Sequence, residues 1–155
     1  MLIKFIFSII FSGVMYYIYT NRNVFIESTF FIRDEKFRRK GKIKFIDVFS
    51  RLLLYLSGLL SLGIFPLSLF ILGPTRDIVV EILYCLAFYN LCIFMIANAY
   101  VLAFLVFEQG RPKNKSDIVF YGEIHLYAFP IWGASIFLIF RYLSTFLSLI
   151  KQLIK

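Results

Sequence analysis

Four stretches of this chain are each about as long as an α-helix must be to cross the hydrocarbon core of a bilayer, roughly 20 mostly apolar residues. They run from Leu2 to Tyr19, from Leu52 to Leu72, from about Ile78 to Phe107 and from about Leu126 to Ile150. The chain as a whole is 61% hydrophobic and 17% charged, with a mean hydropathy of +0.83. A soluble domain is about half apolar and about a quarter charged, so the excess here has to face lipid. Backbone polar groups in lipid must bond within their own segment, which makes each span a helix. The expected fold is an all-α membrane protein, a four-transmembrane-helix bundle with a basic cytoplasmic first loop. It forms one membrane domain over residues 1–155, with helices at about 2–19, 52–72, 78–107 and 126–150.

The first span also has the basic start and apolar middle of a signal peptide. Its end is bulky throughout (Tyr16, Tyr17, Ile18, Tyr19), with no small-x-small cleavage pattern, so it reads as a retained helix. Gly73-Pro74 closes the second span, and Pro66 and Pro130 are expected to kink their helices, since each removes a backbone donor.

The net charge of +8 is unevenly placed. Residues 20–51 carry Arg22, Arg33, Lys36, Arg38, Arg39, Lys40, Lys42, Lys44 and Arg51, and residues 108–124 carry Arg111, Lys113 and Lys115. With four spans both segments lie on one side; the other side holds Lys4, Arg76, Lys151 and Lys155, with Arg141 inside its span. The positive-inside rule then makes the two basic segments cytoplasmic and puts both termini outside. The cluster Lys36, Arg38, Arg39, Lys40, Lys42 and Lys44 is a juxtamembrane polybasic run, expected to contact anionic lipid headgroups. Aromatic-interleaved basic runs also bind single-stranded nucleic acid. The intervening Asp34, Glu35 and Asp47 and the flanking spans speak against nucleic acid here.

Within the spans, small and polar residues recur at helical spacing. Ser57, Ser61 and Ser68 share one face of the second span, and Glu81, Cys85, Cys92, Ala99 and Ala103 share one stripe of the third. Gly133, Arg141, Ser144 and Ser148 form a stripe on the fourth. Helices in lipid associate where small side chains let backbones approach, so all three faces are expected to point inward. Asn90 and Asn98 lie off the stripe of the third span, which marks that helix as central or as touching a partner. Glu81 and Arg141 are the deepest charges in the spans, and an intramembrane ion pair between them would lower the desolvation cost of each.

Nothing in the chain reads as a catalytic residue set, a metal site or a cofactor motif. His125 beside Glu123 lacks further ligands for a metal and a positioned partner for general-base work. Cys85 and Cys92 sit in an apolar run, where free cysteine packs as a small residue. The expected function is therefore helix–helix contact with another membrane protein or a homo-oligomer, as in accessory subunits and small polytopic toxin-immunity proteins. A small transporter or channel subunit using Glu81 and Arg141 is the alternative, and a membrane-embedded enzyme the third. A chain of this kind is expected in a bacterial inner membrane.

Overall fold

The computed structural model describes residues 2–30, 42–70, 73–99, 101–103 and 117–154. Four α-helices carry almost all of them: α1 (Leu2–Phe30), α2 (Lys42–Phe70), α3 (Pro74–Ala97) and α4 (Asp117–Ile154). Three are long and apolar enough to cross a membrane, over Leu2–Asn21, Thr75–Ala97 and His125–Ile154, with mean hydropathies of 1.7, 2.1 and 1.6. In α2 the corresponding apolar stretch, Val48–Ile64, is shorter.

Three of the helices, α1, α2 and α4, outrun the apolar stretches that predict them. α1 continues to Phe30 and α2 begins at Lys42, so much of the expected basic loop is helical. Extending an existing helix adds one hydrogen bond per residue fixed, and polar side chains do not oppose it. α4 has 38 residues and runs through Pro130. At 1.5 Å per residue it is about 57 Å long, nearly twice the ~30 Å of a hydrocarbon core.

Local chemistry sets the ends of α3. Gly73 takes a φ of 84°, a conformation open to glycine and disfavoured for other residues, and Pro74 then opens the helix with its φ already suited to it. At the far end the expected continuation to Phe107 is interrupted at Asn98, where φ is −113° and ψ is 18°. The Asn98 side chain donates to the Phe94 carbonyl at 3.0 Å and to Ser50 Oγ at 3.0 Å, local bonds that compete with regular helix.

α1, α2 and α3 pack against one another, while the substantial contacts of α4 are with α3 alone. α3 is accordingly central: 28% of its apolar window is buried, against 6% for α4. The core gathers Met15 and Ile18 of α1, Leu53 of α2, Phe94 of α3 and Ala128 of α4, with Ala99, Val101 and Ala103 just beyond α3. Trp132 donates from Nε1 to the Ile96 carbonyl at 2.8 Å, and Phe88 meets Tyr142 edge-on at 5.6 Å. Together these fix α3 and α4 as antiparallel neighbours.

Candidate helix-contact site

Polar side chains of the three packed helices meet in layers, one after another along the bundle. At one end Lys4 of α1 donates to Glu81 of α3. One to two turns on, Ser12 Oγ lies 2.7 Å from Ser57 Oγ and 3.1 Å from Ser61 Oγ, and Ser61 donates to the Ser8 carbonyl at 3.1 Å. Asn90 follows, donating to the Leu53 carbonyl at 2.7 Å, and the Ser50–Asn98 pair closes the far end. Each layer joins two helices by side-chain contact at hydrogen-bond distance. That is the arrangement small polar residues use to bring helices together in lipid.

Ser57, Ser61, Asn90 and Asn98 are all buried here, Ser57 completely. Ser68 lies outside the residues whose side chains are described, and so does the polybasic cluster from Lys36 to Lys44. The α3 stripe also faces inward: Cys92, Ala99 and Ala103 are buried, Glu81 and Cys85 partly so. Asn90 is buried although it lies off that stripe, because α3 has neighbours on several sides. Both cysteines are free.

Two expectations meet a different geometry. The first concerns the pairing of Glu81, whose partner is Lys4 rather than Arg141. Arg141 is exposed and stands beside Tyr142, level with Phe88, which lies seven residues beyond Glu81 along α3. Seven residues correspond to about 10 Å of depth. Counting from the end of an apolar stretch misplaced Arg141, because α4 is longer than a single span. Lys4, on the neighbouring α1, stands at the depth of Glu81.

The second concerns the α4 stripe, expected inward and found outward. Gly133, Arg141, Ser144 and Ser148 are all exposed, and a Cβ added at Gly133 would touch nothing within 4 Å. The opposite face of α4 packs on α3 through Ala128, Trp132, Ser135, Leu138 and Phe146. Aromatic edges hold that contact, Tyr89 on Phe146 at 5.4 Å and Phe88 on Tyr142 at 5.6 Å. Between these rings lies an apolar groove of about 250 Å³ lined by Tyr84, Cys85, Phe88, Tyr89, Leu138 and Tyr142.

Lys4, Ser8 and Ser12 complete the polar layers without having been singled out in the sequence. Their four-residue spacing on α1 is the same signal that marks the serines of α2. Ser50 and Trp132 carry no comparable mark. No group of three or more metal-ligating residues forms among the described residues, and His125 is exposed, its ring 6.3 Å from that of Phe129. Compared with protein-family models, curated proteins and solved structures, the chain finds no match.

Proposed function

We propose that the chain is a four-span membrane protein that works by helix contact with another membrane protein, and that the outward face of α4 makes that contact. The observation that supports this most is the asymmetry of α4. One face is packed on α3, while the other presents Gly133, Arg141, Ser144 and Ser148 together with Phe137 and Phe140, 66% and 69% exposed. Lipid accounts for exposed phenylalanine. It does not account for an arginine in the same stripe, since a cation at the centre of a membrane helix costs about 2.5–3.5 kcal/mol to insert.

A transport path would call for polar groups lining a hydrated opening. The serines between α1 and α2 instead bond directly to one another and to backbone at 2.7–3.1 Å, and the groove beside α3 and α4 is mostly apolar, lined by Phe88, Leu138, Cys85 and three tyrosines. Both features favour a packed interior that holds α4 in place for an outside partner.

The contact is testable with a photo-crosslinking residue in native membranes. At Ser144, on the outward face, it should give one discrete heavier adduct. At Ser135, which is buried, it should react only within the chain. Lipid adducts alone at position 144 would remove the support for a protein partner.

The orientation follows from charge. The basic segment between α1 and α2 faces the cytoplasm, the Lys4–Glu81 end faces away from it, and a bacterial inner membrane suits a chain of this size. A cysteine introduced at position 40 should resist impermeant thiol reagents in intact cells and react after permeabilisation. Reaction in intact cells would reverse the assignment.

A further inference from the structure

We propose that the partner of α4 is a membrane-spanning helix of another protein that carries an aspartate or glutamate near mid-membrane, for which Arg141 is the counter-ion. This rests on the contact reading above and adds the chemistry of what is contacted. Depth is the first ground. Phe88 lies near the middle of the Thr75–Ala97 span, and the Phe88–Tyr142 contact brings Arg141 to that level. An arginine side chain extends about 6–7 Å, whereas the bilayer surface is about 15 Å from its centre. Snorkelling therefore carries the guanidinium only part of the way to the headgroups.

The second ground is the lack of an internal counter-ion. Among the described residues Arg141 makes no ion pair, and the two carboxylates of the Thr75–Ala97 span are engaged elsewhere, Asp77 by Arg76 at 3.5 Å and Glu81 by Lys4, the latter about 10 Å closer to the membrane surface. A second copy of this chain, docked through the same face, would bring arginine against arginine. What suits the site is a carboxylate from a different helix, which would satisfy the guanidinium with two parallel hydrogen bonds. The neighbouring residues permit the approach: Gly133 has open space above it, and Ser144 and Ser148 are small and exposed.

The experiment uses the full chain in phosphatidylcholine nanodiscs with synthetic polyleucine transmembrane peptides that carry one mid-span Glu or, as the isostere, Gln. Association is read by energy transfer at pH 8. The Glu peptide should bind about tenfold more tightly than the Gln peptide, equivalent to about 1.4 kcal/mol. Arg141→Gln should abolish the difference, Arg141→Lys should keep part of it, and Arg141→Glu should transfer the preference to a Lys peptide. Equal binding of the two peptides by the unaltered chain would overturn the proposal. So would a Glu preference that survives Arg141→Gln, binding that appears only when anionic lipid is added, or self-association through α4 that excludes both peptides. If Arg141→Gln fails to fold, the comparison of Glu and Gln peptides on the unaltered chain still decides. A protein adduct at Ser144 without a Glu preference would sink the carboxylate and leave the contact standing. Loss of both would sink both.

Discussion

Phe94→Ala should destabilise the folded bundle by about 2–3 kcal/mol, whereas Phe137→Ala should change its stability by less than about 0.5 kcal/mol. Phe94 is fully buried in the core shared by α1, α2, α3 and α4, while Phe137 is 66% exposed on the outward face of α4. In a water-soluble core the same truncation costs about 3–5 kcal/mol, part of it the transfer of the ring out of water. In a bilayer the unfolded helices are already in an apolar solvent, so that part falls away and the cavity with its lost dispersion contacts remains. Reversible unfolding in bicelles would measure both variants. A Phe94 variant no less stable than the Phe137 variant would mean that the core around Phe94 does not hold the protein together.

Periodicity revealed the helices and most of their inward faces, because spacing of three and four residues is a property of one helix alone. Ser57 with Ser61, and Cys92 with Ala99, were legible for that reason. Which helix neighbours which is a property of two helices, and the sequence holds no equivalent signal for it. Glu81 is the clearest instance: its depth was readable, but its partner depended on α1 lying beside α3 and on the apolar stretch of α4 being 30 residues long, more than one crossing needs. The α4 stripe fails for a related reason. In lipid an outward face can be as apolar as an inward one, so hydropathy does not give direction. Small residues then mark a contact surface without saying whether its partner lies inside the chain or outside it. Asn90 escapes this ambiguity, since a buried amide off the main stripe implies that its helix has neighbours on several sides, as α3 does.

The pairing of Lys4 with Glu81 should appear as a coupling of about 2 kcal/mol in a double-mutant cycle built from Lys4→Gln and Glu81→Gln. The magnitude lies between two limits. Ion pairs exposed to water couple by at most about 1 kcal/mol, and breaking a buried pair costs about 3–5 kcal/mol. The two side chains here are 31% and 38% exposed, and both project from apolar helices near one end of the bundle. Each single substitution leaves one charge without its counter-ion, so each should cost more than the double substitution implies if their effects were independent. The same cycle between Glu81→Gln and Arg141→Gln should be additive to within about 0.5 kcal/mol, because the two residues differ in depth by about 10 Å and share no partner. Salt offers a second reading of the same bond: raising the ionic strength should weaken the Lys4–Glu81 coupling only slightly, since partly buried pairs are poorly screened. Strong coupling of Glu81 to Arg141, with none to Lys4, would require α4 to sit one to two turns further along α3 than the Trp132–Ile96 bond and the Phe88–Tyr142 contact place it. The depth of Arg141, and with it the case for an outside carboxylate, would then fall as well.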